Sequence, residues 1–145
     1  MSDRFPFEHA PGHLIRRAHQ ISAAIFAEET AAFDATPVQF AILSVLAGAP
    51  GIDQITLAQR VALDAATIGS VIGRLLTKGW LRRERGSADR RRKLLHLTAE
   101  GRAVMHGMTG GVQAVQQRLL APLSADEQQH FLALLTKLVK ASQPD

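Results

Sequence analysis

Apolar positions recur every three to four residues along most of the chain, and the pattern predicts six helices. Pro6, Pro11 and Gly12 mark residues 1 to 12 as an extended or turning arm. From His13 to about Phe33, the residues Leu14, Ile15, Ala18, Ile21, Ser22, Ile25 and Phe26 form one broad face of a long first helix. Thr36, Pro37 and Gln39 supply a cap, a proline at the first helical position and a glutamine three residues after the cap. They start a second helix that carries Phe40, Ile42, Leu43, Val45 and Leu46 and stops near Gly48, Pro50 and Gly51. Thr56 and Gln59 read as another capping box, opening a short third helix that runs through Val61.

After a tight turn, Asp64 caps a fourth helix over residues 65–78. Its inward stripe is Ile68, Val71, Ile72, Leu75 and Leu76, and Gly79 ends it. A short helix, a tight turn and a longer helix have the form of a helix-turn-helix. Residues 80–85 and 93–97 then alternate like strands, with Trp80, Arg82 and Glu84 facing one way and Leu81 and Arg83 the other. The loop GSADRRR joins them into a hairpin, or wing. Thr98 caps a fifth helix with core positions Val104, Met105, Met108, Val112, Val115 and Leu119. Ser124 and Glu127 cap a sixth that carries Phe131, Leu132, Leu134, Leu135, Leu138 and Val139. The expected fold class is mainly α with a small β-hairpin wing. A winged helix-turn-helix lobe occupies residues 36–98, and residues 1–35 and 99–145 form a helical region.

Charge sharpens this picture. Nine of the 17 lysines and arginines lie between Arg74 and Lys93 against two acids, so the basic character is local although the net charge is only +4. A basic block on one element pair is the footprint of a polyanion-binding surface. With no cysteine, disulfides, thiolate metal sites and thiol-based oxidant sensing are all excluded. No apolar run approaches the roughly 18 residues of a membrane span. The start MSDRFPFEHAPGH carries acids and prolines where a secretion signal has a basic start and an apolar core, so the expected location is the cytoplasm. No paired nucleophile and base, phosphate-cradling glycine loop or metal set is present, so no enzyme and no cofactor are expected.

The fourth helix leaves Thr67, Ser70 and Arg74 on the face opposite its apolar stripe, at i, i+3 and i+7, with Lys78 one turn further on. Small hydroxyls and an arginine are the groups that enter a major groove and meet base edges. Gly69 and Gly73 lie beside them, each costing about 1 kcal/mol relative to alanine. Close approach to DNA or close packing of a neighbouring helix would offset that cost. In the wing, Arg90, Arg91, Arg92 and Lys93 suit a narrow minor groove or phosphates. Asp89 reads as the group that holds one of these arginines in position.

The order of helices, the segment TLAQRVALDAATIGSVIGRLLTKGWLRRE and the wing ADRRRKLLHLTAEG resemble the MarR family of winged helix-turn-helix regulators. Asp89 and Arg91 match its Asp, any residue, Arg signature, and Leu97, Thr98 and Gly101 match its following helix start. The resemblance covers almost the whole chain. It implies a homodimer, in which the helical region becomes the dimerisation region and each winged lobe meets one half-site of a palindromic operator in double-stranded DNA. It also implies that ligand binding changes the spacing of the recognition helices and releases DNA. The segments HAPGHLIRRAHQI, TPVQFAIL and LDAATIGSVIGRL look like the branch that controls degradation of aromatic acids of the benzoate, hydroxycinnamate or nicotinate type.

For such an effector, His13, Arg16, Arg17 and Gln20 on the first helix and Phe40 on the second form the candidate ligand set. Arg16 or Arg17 would pair with the carboxylate, His13 with a phenol or ring nitrogen, and Phe40 would supply a ring wall. The plainer alternative is a solvated helix face or a set of dimer contacts. Two other functions stay open: an effector-independent DNA-binding protein, and a metal-responsive regulator using His9, His13 and His19. Against metal, His9 precedes Pro11 and Gly12 and so sits off the helix, and no set of acids completes a site.

Overall fold

A computed structural model gives the fold of residues 3–143. After a 3₁₀ turn at Phe7–His9 come α1 (Pro11–Glu29), α2 (Pro37–Gly48), β1 (Ile52–Asp53), α3 (Gln54–Arg60) and α4 (Ala65–Thr77). The chain continues through β2 (Leu81–Arg85), β3 (Lys93–Leu97), α5 (Ala99–Leu120) and α6 (Ala125–Ala141). The fold is mostly helical with a small antiparallel sheet, as the periodicity predicts. It divides into two compact units, to both of which α1 and α5 contribute. Among the described residues, no single helix is long and apolar enough to cross a membrane.

The larger unit, Phe26–Val112, holds α2, α3, α4 and the sheet. Ile42, Leu43 and Leu46 of α2, Leu57 of α3, and Ile68, Ile72 and Leu75 of α4 close on Leu81 and Leu95 of the sheet. All are buried, so the apolar stripes predicted for α2 and α4 do meet in one core. The sheet has three strands in the order β1-β3-β2, with Leu81 opposite Leu97, Arg83 opposite Leu95 and Ile52 also opposite Leu95. The hairpin is as expected; the edge strand β1 is an addition. At two residues it is too short to show an alternation.

Two boundaries differ from expectation. The third helix begins at Gln54, and its cap is Asp53: Asp53 Oδ1 accepts the Thr56 N–H at 2.8 Å and Oδ2 the Thr56 hydroxyl at 3.0 Å. Thr56 is therefore inside the helix, and the Thr56–Gln59 capping box does not form. The first helix starts at Pro11, a residue suited to a first helical position, and ends at Glu29 instead of near Phe33. Gly111 of α5 lies against the Glu29 carbonyl and Gly107 against the Phe33 ring, where an added Cβ would come within 2.6 and 2.8 Å respectively.

The other unit comprises the described residues up to Ile25 and those from Gln113 on. Ser124 and Glu127 form the predicted capping box of α6, and Gln128 Nε2 donates to the carbonyls of Leu120 and Leu123, closing the α5–α6 turn. The apolar positions predicted as core on α6 are not covered within one chain: Leu134 is 50% exposed, Leu138 60% and Val139 59%. Leu14, Ile15 and Ile21 of α1 are likewise about half exposed.

The tightest junction in the larger unit joins α4, β2 and α5. Gly79 ends α4 with φ +78°, the left-handed region open to glycine. Thr98 then donates its hydroxyl to the Gly79 carbonyl at 2.6 Å and its N–H to the Trp80 carbonyl at 3.1 Å, while its Oγ1 accepts the Gly101 N–H at 3.0 Å. A Cβ on Gly101 would come within 2.0 Å of the Trp80 carbonyl oxygen. Gly101→Ala is therefore expected to destabilise the fold by about 2–3 kcal/mol, the cost of forcing backbone apart in a packed interior. A thermal melt checks this; an unchanged midpoint would contradict so close a contact.

Candidate nucleic-acid interface

The helix pair α3 and α4 changes direction by 107°, within the usual range of a helix-turn-helix. Its turn passes through Ala62 at φ +57°, and Asp64 caps α4 as the sequence predicts, accepting the Thr67 N–H at 2.8 Å and the Thr67 hydroxyl at 2.9 Å. Those two bonds, the backbone one first, lower the Asp64 pKa from its ordinary value. With Ile68, Ile72 and Leu75 buried, Thr67, Ser70 and Arg74 all stand exposed on the outer face. Thr67 spends its hydroxyl proton on Asp64, so while that bond lasts it presents a methyl group and acceptor lone pairs. Ser70 and Arg74 are the donors on this face.

Ser70, Arg74 and Lys78 line one side of a groove whose other side is Asp34, Thr36 and Gln39 at the start of α2. Lys78 differs from its neighbours. Its ammonium donates to the Asp34 carbonyl, lies 3.4 Å from the Asp34 carboxylate and sits over the Trp80 ring at 4.4 Å from the centroid. These partners hold the end of α4 to the turn before α2, so Lys78 has structural work that its place in the basic block does not reveal.

In the wing, the Gly86 N–H donates to the Arg92 carbonyl at 3.0 Å and the Arg92 N–H to the Asp89 carbonyl at 3.1 Å, closing a compact loop. Asp89 Oδ1 accepts the Arg91 backbone N–H at 3.0 Å, and the Arg91 guanidinium is 4.0 Å away. Asp89 thus orders Arg91 mainly through its backbone. The arginine held firmly by a carboxylate is Arg92, whose Nη2 donates to Asp53 Oδ2 at 2.9 Å. Together with the Thr56 bonds, of which the backbone one is strongest, this lowers the Asp53 carboxyl from 3.8 to about 2. Arg90, Arg91 and Lys93 are exposed. On the strands below, Glu84 Oε1 accepts from His96 Nε2 at 2.8 Å and Glu84 meets Arg82 at 3.4 Å; the His96 bond, first, lowers the Glu84 pKa. Sequence reasoning missed Asp53 and Asp34. Asp53, three residues before Thr56, had a visible cap signature, whereas Asp34 meets Lys78 across 44 positions.

Within the smaller unit, the candidate ligand residues of α1 form two pairs. Arg16 Nη2 lies 3.0 Å from His13 Nδ1, and Arg17 Nη1 donates to Gln20 Oε1 at 2.7 Å, all on α1 in the smaller unit. A guanidinium only donates, so His13 Nδ1 accepts and Nε2 carries the ring proton. The Phe7 ring meets His13 edge-on, with centroids 5.3 Å apart. Phe40 belongs to the larger unit, half-buried against its core. Among the described residues, no three His, Asp or Glu side chains gather as a metal site would require.

The sequence profile of the MarR family matches residues 33–92. The chain is 33% identical to the transcriptional regulator HosA of Escherichia coli O127:H6, over 88% of this chain and 93% of that protein. It is 29% identical to the transcriptional repressor NicR of Pseudomonas putida, over 91% and 84%. Among solved structures, the PcaV regulator of Streptomyces coelicolor with its natural ligand superposes with a TM-score of 0.89 at 37% identity, covering 99% of this chain and 100% of that one. BpsR of Bordetella bronchiseptica, whose DNA binding is regulated by 6-hydroxynicotinic acid, superposes with a TM-score of 0.87 at 31% identity, covering 98% and 99%.

The two glycines of α4 are open to direct test. A Cβ on Gly73 would meet nothing within 4 Å, and one on Gly69 only the end of the Gln54 side chain at 3.9 Å, so close helix packing does not explain either. Gly73→Ala is therefore expected to stabilise the free protein by about 0.5–1 kcal/mol while weakening its hold on DNA. Chemical denaturation and DNA titration of the same variant check both signs; a lower stability would contradict the open space at Gly73.

Proposed function

Since the chain belongs to the MarR family of transcriptional regulators, we propose that it acts as a homodimeric repressor that leaves a palindromic operator when a small aromatic carboxylate binds. The observation that carries the DNA-reading part is the exposed row Thr67, Ser70 and Arg74 on α4, beside a wing presenting Arg90, Arg91 and Lys93. The helix would enter the major groove, with Arg74 the natural partner of a guanine edge, and the wing arginines would reach the adjacent minor groove or its phosphates. Lys78 and Arg92 would serve mainly to hold these elements in place.

Homodimer formation is supported by the apolar faces that one chain leaves exposed, including Leu14, Ile15 and Ile21 of α1 and Leu134, Leu138 and Val139 of α6. Fully burying an exposed side chain of this kind gains about 1.5–3 kcal/mol; these are already half-buried, so roughly half of that remains for each, and several such side chains together make a strong drive to pair with a second copy. In this reading residues 1–35 and 99–145 form the dimerisation region and 36–98 the DNA-binding lobe. The aromatic-acid effector is supported by the likeness to BpsR, regulated by 6-hydroxynicotinic acid. Arg16, Arg17, Gln20 and His13, with its Nε2 proton available, offer donors for a carboxylate and a ring substituent. The Arg16 guanidinium beside His13 disfavours a metal cation there, which counts against the metal-responsive alternative. The protein would act in the cytoplasm, by binding and not by catalysis.

Fluorescence anisotropy on operator duplexes tests the interface. Arg74→Ala is expected to weaken specific binding by about 1–3 kcal/mol and to relax the preference at one base position, whereas equal loss on every duplex would reduce Arg74 to a phosphate contact. Arg91→Ala is expected to make the salt dependence shallower by about one phosphate's worth, and an unchanged slope would remove Arg91 from the interface.

A further inference from the structure

The basic residues of the wing are not equivalent. The Arg91 side chain is 96% exposed, whereas that of Arg92 is 55% exposed and its guanidinium is committed to Asp53. Asp53 is itself a structural centre. It pairs with Leu94 across the β1–β3 ladder, and its carboxylate caps α3, the first helix of the helix-turn-helix. On the other side of the bond, the Arg92 backbone closes the wing loop through Gly86 and Asp89. Gly86 is buried there, and a Cβ on it would come within 2.7 Å of the Asp89 carbonyl oxygen, so the loop is tightly closed. The Arg92–Asp53 bond spans a groove between the start of α3 and the wing that is also lined by Gln54, Ile55, Arg91 and Lys93.

We propose that Arg92 is the positioning residue of the wing: its bond to the carboxylate that caps α3 ties the hairpin loop to the helix-turn-helix and so sets where Arg90 and Arg91 meet DNA. This rests on the reading of the wing as a DNA-contacting element. Its physical content is that one positive charge of the basic block is neutralised within the protein and works through geometry, not through a phosphate.

The chemistry of position 53 gives a test whose sign separates the two roles. Asparagine caps a helix as well as aspartate does, so Asp53→Asn keeps an oxygen for the Thr56 N–H. Its amide nitrogen, however, turns a donor toward the Arg92 guanidinium, which has only donors to offer, and the tie is lost. The same substitution removes a negative charge beside the DNA-binding face, which by itself would tighten DNA binding. A positioning role therefore predicts that Asp53→Asn and Arg92→Ala each weaken operator binding, by up to about fivefold, the scale of a partly exposed ion pair. It also predicts that the double variant is no weaker than either single one. In the free proteins, hydrogen exchange at the Gly86 and Arg92 amides, which close the loop, should speed up in both single variants.

If Arg92→Ala weakens binding while Asp53→Asn binds as well as or better than the unsubstituted protein, Arg92 grips a phosphate and the proposal is overturned. Unchanged exchange at both loop amides in the Arg92→Ala protein also overturns it, whatever the affinities. Failure of the unsubstituted protein to bind its operator would instead defeat the DNA reading of the wing, and the exchange measurement would still decide whether Arg92 orders the loop.

Discussion

The structure of the larger unit depends on one backbone constraint: the approach of Gly101 to the Trp80 carbonyl, secured by the Thr98 hydroxyl on the Gly79 carbonyl. Residues 79 and 80 are where the fourth helix ends and the hairpin begins; residues 98 to 101 are where the hairpin ends and the fifth helix begins. Joining them holds α4, the β2–β3 hairpin and α5 together at one point. Only a residue without a side chain permits that approach, and a threonine is well suited to supply a donor and an acceptor there at once.

Around that point, two cations of the basic block are spent on architecture. Lys78 holds the end of α4 to Asp34 and Trp80, and Arg92 meets the cap of α3 at Asp53. What is left facing outward is a helix row of two small hydroxyl residues and an arginine beside a basic wing. A rigid support for few contacts suits recognition, because side chains that read base edges discriminate only when their approach is held to within a fraction of an ångström. The apolar faces of α1 and α6 complete the picture from the other end of the chain, since helices so exposed call for a partner surface.

Much of this was legible in the sequence because it is local. The Thr36 and Ser124 capping boxes, the Asp64 cap and the 3.6-residue stripe of α4 all depend on residues within a few positions of each other, and all appear where expected. The misreadings have a common origin in competition or distance. Two helix-start patterns overlap at Asp53 and Thr56, and the earlier one wins because its carboxylate takes both the N–H and the hydroxyl of Thr56. The end of α1 has no local breaker between Gly12 and Phe33, and what packs beside it, Gly107 and Gly111 of α5, lies far off in sequence. Likewise no spacing rule distinguishes Arg92 from Arg91, and only the folded chain shows which of them meets Asp53, 39 positions away.

A fluorescence-anisotropy titration of the protein against DNA from its own upstream region, with and without benzoates, hydroxycinnamates and pyridine carboxylates, tests the proposed regulation most directly. The expected result is salt-sensitive binding that favours a palindromic site over random duplex, and release of that site by at least one of these aromatic acids. Binding that makes no distinction between the site and random duplex would contradict the recognition face assigned to α4. Tight, selective binding that none of the acids relieves would leave that face standing and contradict the effector class.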